Sequence, residues 1–263
     1  MLTKLLKYDL KYMIKNMIVF YILALFSAIV SRILSLFNQT AIVNILYNIS
    51  IGCMISMAAN ILINTMLRSW VGFRDSLYKD ESYLTHTLPV TKNNIYNSKF
   101  LQTLIFFVIG FAVVILCLFI TYYTKERWEV LKEFINGITV GLNINTFLFI
   151  TGMLLVIFLE IFNAIQCGFL GIILGYRKNN GKLGYSVFFG FLAYLLSQSM
   201  VLLLVFIFGL FNSDIMNLFK SNVVFTNTSF KLLIFLSIIL YVVIISLMNI
   251  LCKKVLNKGV NIE

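Results

Sequence analysis

Six stretches of this 263-residue chain, at roughly 16–37, 41–67, 100–124, 144–175, 183–211 and 231–252, each carry about 20 or more predominantly apolar residues. That feature decides most of what the chain can fold into. An α-helix rises 1.5 Å per residue, so about 20 residues cross the roughly 30 Å hydrocarbon core of a bilayer. Strands of a membrane barrel would instead show about ten residues of alternating polarity between turns. These runs are longer and continuous, and in lipid a helix satisfies all its backbone groups internally. The expectation is an all-α integral membrane protein, a bundle of six transmembrane helices. The second, fourth and fifth runs exceed the required length, which implies tilt or extension beyond the bilayer.

Between the runs, no stretch is both long and polar enough to fold alone. The longest mainly polar piece, residues 68–99, is too short for an independent core, so the chain reads as a single membrane domain over residues 1–263. Hydrophobic residues make up 60% of the chain and charged residues 12%, about half the charge of a soluble domain. The formal net charge of +11 would suggest nucleic acid in a soluble protein. Here the cations flank apolar runs instead of forming one basic face, and no nucleic-acid partner is expected. Their placement sets a topology instead. With the N-terminus in the cytoplasm, fifteen of the 21 Lys and Arg residues fall on that side and six on the other. Both termini are therefore expected to be cytoplasmic. Cys53, Cys117, Cys167 and Cys252 all lie in apolar runs or at their ends, with no CxxC or Cys/His cluster. They read as buried free thiols rather than a zinc site or a disulfide framework.

Ahead of the first run, Leu2, Leu5, Leu6, Leu10, Met13 and Ile14 recur at helical spacing with lysines between them. This pattern predicts an amphipathic interfacial helix over 1–15, its lysines near anionic head groups. The alternative is a basic extension of the first span. On the other side, Trp128, Leu131, Phe134 and Ile135 predict a second, shorter amphipathic segment.

The cytoplasmic connection after the second span, RSWVGFRDSLYKDESYLTHTLPVTKNNIYNSK, covers residues 68–99. Phe73, Leu77, Leu84 and Leu88 would fall on one stripe of a continuous helix, but Glu81 would land there too. A break near 79–81 into two short helices is expected, with Asp80 as N-cap and Pro89 closing the second helix. The segment is either a hairpin lying on the membrane surface or a docking element for a cytosolic partner.

Within it, the core Glu81-Ser-Tyr-Leu-Thr-His-Thr-Leu-Pro-Val-Thr91, followed by Ser98-Lys99, resembles the loop of bacterial ATP-binding-cassette permeases of the type-2 exporter class. In layout the resemblance covers the whole chain: a basic N-terminal helix, six spans, both termini inside, and this loop after the second span. As a motif it covers about twenty residues. It implies a permease subunit in the cell membrane that forms the path for an amphiphilic substrate such as a peptide, an antimicrobial, a lipid or a drug. It further implies a second permease copy or related permease, and a separate ATPase subunit touched by the loop. Asp80, Glu81, Tyr83, Leu84, His86, Leu88 and Pro89 are the residues it assigns to ATPase coupling. The sequence contains no G-x-x-x-x-G-K-[ST] phosphate loop, so ATP and Mg are expected in the partner and no cofactor in this chain.

Two further constellations stand out. Glu160 is the only carboxylate deep in a span, with Asn163 and Cys167 on the same helix face. A charge there costs roughly 2.5–3.5 kcal/mol on insertion scales. It reads as a neutral acid hydrogen-bonded to another helix, or as a proton site or translocation-path contact. The proton reading leaves open a partner-free secondary transporter or an intramembrane enzyme. On the second span, Asn44, Asn48, Gly52, Ser56, Asn60 and Asn64 recur every four residues. Such a row either packs helices or lines a path. His86 is the only histidine, so neither a metal cluster nor a Ser/His/Asp group is foreseen.

Overall fold

The computed structural model describes residues 2–37, 40–79, 81–87, 89–123, 125–141, 145–216, 219 and 227–258. Among these the chain is helical, with no strand. Six helices are long and apolar enough to cross a membrane, so the protein is an all-α, multi-pass membrane protein. They are α1 (Leu2–Leu34), α2 (Ala41–Tyr78), α4 (Lys92–Tyr122), α6 (Thr146–Gly175), α7 (Lys182–Phe211) and α9 (Asn227–Asn257). Three shorter helices lie between them: α3 (Ser82–Thr87), α5 (Lys125–Gly141) and α8 (Ser213–Met216). α5 takes in the amphipathic segment expected around Trp128 and Phe134.

Two sequence expectations change. The interfacial helix foreseen over 1–15 is not separate, because α1 runs unbroken from Leu2 to Leu34. From its fourth turn α1 packs on α4: Met13 and Met17 are buried and cluster with Phe106. The connection over 68–99 is mostly a continuation of the two flanking long helices. α2 continues to Tyr78, 38 residues or about 57 Å, nearly twice the hydrocarbon thickness. The break expected near 79–81 is present, and α3 ends before Pro89. Helix then resumes at Lys92, eight residues before the run at 100 begins. The true connection is the short stretch from 79 to 91 that holds α3. Asp80, Leu88 and the side chain of His86 lie outside the described residues.

The chain groups into two compact units, Met1–Val130 and Leu131–Glu263. In the first, α1, α2 and α4 pack against one another. Ala24 and Ala28 of α1 and Ala58 of α2 sit in one cluster with Met54, Ile61 and Cys117. Small side chains let backbones approach where lipid supplies no hydrophobic drive. Hydroxyl bonds span the same contacts: Ser50 Oγ donates to the Ser27 carbonyl at 3.1 Å, and Ser31 Oγ to Thr121 Oγ1 at 3.3 Å. Thr40 caps α2, its hydroxyl accepting from Val43 N at 3.4 Å.

In the second unit, α6 packs on α7 and α9. The α6–α7 contact is set by glycines. A Cβ on Gly171 would lie 2.5 Å from the Gly190 Cα and the Ser186 carbonyl oxygen, and one on Gly175 would collide with Ser186. Gly171-x-x-x-Gly175 thus faces Ser186-x-x-x-Gly190, small residues one turn apart on both helices. Gly181, at φ +65°, turns the chain from α6 into α7. Among the described residues all four cysteines are free, Cys53 exposed and the others buried.

Candidate functional site

The coupling segment is built from α2 outward. Phe73 and Leu77, near the end of α2, are fully buried, and the Phe73 ring meets Tyr96 of α4 edge-on at 6.0 Å. The stripe read from Phe73 to Leu84 therefore divides. Its first half anchors the extended ends of α2 and α4. Its second half, past the break, does not follow it inward. Leu84 is 74% exposed and Tyr83 64% exposed, both on α3, with Glu81 and Pro89 exposed at its two ends. α3 holds its own short turn: Thr85 Oγ1 donates to the Glu81 carbonyl and Thr87 Oγ1 to the Leu84 carbonyl, each at 2.9 Å. Ser82, fully buried, ties α3 back through its amide to the Lys79 carbonyl at 2.7 Å. The result is a one-and-a-half-turn knob presenting a leucine and a tyrosine from a firm base.

Directly behind this base is a polar clasp that sequence reasoning missed. Asp9 of α1 accepts from Ser98 Oγ at 2.5 Å and pairs with Lys99 Nζ at 2.8 Å, both on α4. Gln102 Nε2 adds a bond to the Asp9 carbonyl at 2.9 Å. The two charged side chains are only 10% and 16% exposed. A low-dielectric setting makes such a pair strong once formed and expensive to half-break. The signal was there: Asp9 is the only acid in the first 74 residues, and Ser98-Lys99 closed the quoted motif.

The polar row of α2 lies across the helix from its packed stripe. Tyr47, Ser50, Met54, Ala58, Ile61 and Thr65 are buried, whereas Asn44, Asn48, Ser56 and Asn60 are exposed and Asn64 is half-buried. A Cβ on Gly52 would meet nothing within 4 Å. Asn60 and Asn64 turn their amides back onto the Ser56 and Asn60 carbonyls at 3.0 and 2.9 Å. The row does not pack α2 against α1 or α4.

In the second unit, Asn163 of α6 and Tyr241 of α9 each make a polar contact with α7. Buried Asn163 donates through Nδ2 to Ser197 Oγ of α7 at 2.9 Å, and the Cys167 thiol lies 3.8 Å from the same hydroxyl. Half-buried Glu160 lies near Tyr194 of α7, close enough to act on it electrostatically. Gln198 Oε1 accepts from Tyr241 OH of α9 at 3.2 Å. The helix face shared by Glu160, Asn163 and Cys167 was legible from spacing. Its neighbours Tyr194 and Ser197 were not, since spacing along one helix says nothing about which helix it meets.

Among the described residues, no three His, Cys, Asp or Glu side chains come together to hold a metal. Chemically the structure offers an exposed apolar knob beyond the ends of the spans, an exposed amide row on one span, and a half-buried carboxyl within another. Compared with protein-family models, curated proteins and solved structures, the chain matches none.

Proposed function

We propose that this chain is the permease subunit of an ATP-driven exporter, coupled through α3 to a separate ATPase and paired with a second permease subunit. The observation that carries the reading is the state of Leu84. A leucine exposed on a helix of six residues, joined to the buried Phe73–Leu77–Tyr96 base, is suited to fill a groove on a cytosolic protein. Such a contact is worth about 1.5–3 kcal/mol for a fully buried leucine. The base is stiff, so a displacement of α3 would move the ends of α2 and α4 with it. The likeness of residues 79–99 to the loop of type-2 exporter permeases names the partner class. The amide row of α2, turned away from its own unit's packing, supports a role in lining the path or meeting the second subunit.

In this reading ATP and Mg bind the partner, closure of the ATPases pushes on α3, and the spans exchange inward and outward openings. The substrate is amphiphilic. The lysine and arginine bias supports cytoplasmic termini, and the likeness to type-2 exporter permeases supports a bacterial cell membrane. The test is affinity purification of the tagged chain from its native membrane in mild detergent. An ATPase carrying the phosphate-loop motif should copurify in stoichiometric amount, and vesicles holding both should transport only with ATP. A chain that purifies alone and transports in response to a proton gradient would instead favour the second reading. In that reading Glu160, half-buried midway along α6 near Tyr194, is the proton site of a partner-free transporter.

A further inference from the structure

We propose that the first unit holds one anionic phospholipid in a groove between α1 and α4, its phosphate on Lys7 and Lys11. Two grooves meet along α1. One, of about 290 Å³, runs between Leu10, Ile14, Ile18 and Tyr21 of α1 and Ile105 and Ile109 of α4. The other, of about 440 Å³, continues toward the N-terminus past Leu10 and Ile14 and is bordered by Lys7 and Lys11. Leu10 and Ile14 belong to both, so an apolar channel opens at one end onto a pair of cations.

Dimensions and charge select the occupant. Lys11 to Tyr21 spans ten residues, about 15 Å of helix, which is half the roughly 30 Å hydrocarbon core. With the lysines at head-group level, the groove is one leaflet deep and fits an acyl chain. Exposed Tyr8 and Tyr12 stand at the level of the lysines, where aromatic rings sit at a membrane interface. Lys7 and Lys11 are exposed. The nearest acid on the same helix, Asp9, is committed to Lys99, so it does not neutralise them. A zwitterionic head group would leave that positive charge unmatched, whereas an anionic one satisfies it, at an electrostatic gain for each lysine near the surface.

The experiment is native mass spectrometry of the purified full-length protein, delipidated and then titrated with phosphatidylglycerol or phosphatidylcholine. Wild type should retain one phosphatidylglycerol per chain in preference to phosphatidylcholine. Lys7→Gln/Lys11→Gln should weaken that retention roughly thirtyfold, or about 2 kcal/mol at 1.4 kcal/mol per decade. Lys253→Gln/Lys254→Gln should leave it unchanged. Ile109→Trp, at a half-exposed position in the groove, should block the chain and lower retention with the lysines intact. Equal retention of the two lipids, unchanged binding in the double lysine variant, or displacement by inorganic phosphate alone would overturn the proposal.

Discussion

Glu160 shows how one side chain is made tolerable in a span. Its carboxyl lies midway along α6, where a charge is costly, and it is half-buried near Tyr194 of α7. If the carboxyl serves packing, polarity matters there and ionisation does not. Glu160→Gln keeps a hydrogen-bonding group and should leave the unfolding midpoint and ATP-driven transport within error of wild type. If a polar group on another helix holds the carboxyl, Glu160→Leu leaves that group unsatisfied and should cost about 1–3 kcal/mol, read as a lower midpoint in detergent. A Gln variant that folds normally but no longer transports would assign Glu160 to the path. Spacing revealed the Glu160–Asn163–Cys167 face, and the unusual polarity of Asn163 in a span foretold a buried partner. That partner, Ser197, could not be identified before α6 and α7 were placed together.

At the scale of elements, run length foretold six spans but not where the helices stop. Polar sequence after residue 67 suggested a loop, yet α2 continues for eleven more residues because Phe73 and Leu77 still find apolar partners. The N-terminal residues likewise read as an interfacial helix because their lysines and leucines alternate at helical spacing. Packing of Met13 and Met17, together with the Asp9 clasp, holds them in line with the first span. The Gly171–Gly175 and Ser186–Gly190 pairs carried the small-x-x-x-small spacing that marks close helix crossings, and that contact was open to sequence reasoning. The clasp itself makes a test of how α1 is held to α4. Asp9→Asn leaves Lys99 buried without its counter-charge and should destabilise by about 3 kcal/mol. Replacing both, Asp9→Leu with Lys99→Met, removes the charges together and should recover most of the loss. Thermal unfolding of the wild type and these two variants in one detergent measures it. A double variant as unstable as the single one would show that the ion pair itself, rather than avoidance of a lone charge, holds the helices.

For the whole molecule, membrane class follows from composition and run length, whereas the proposed function rests on one short segment outside the spans. The segment's sequence pointed to a coupling role, and its structure has the form a docking knob needs: a buried base of Phe73, Leu77 and Tyr96 under an exposed Leu84. What sequence could not supply was the division of the stripe into buried and exposed halves, because one helical period fits both. The most direct test of an ATPase-coupled permease is therefore Leu84→Asp. Already exposed, Leu84 has no packing role within the chain to lose, so membrane insertion and the unfolding midpoint should match wild type. A carboxylate in the partner's apolar groove forfeits the transfer energy and adds a desolvation penalty. ATPase retained through affinity purification should fall at least tenfold, and ATP-driven transport in vesicles should fall with it. Undiminished ATPase retention together with undiminished transport would contradict the account.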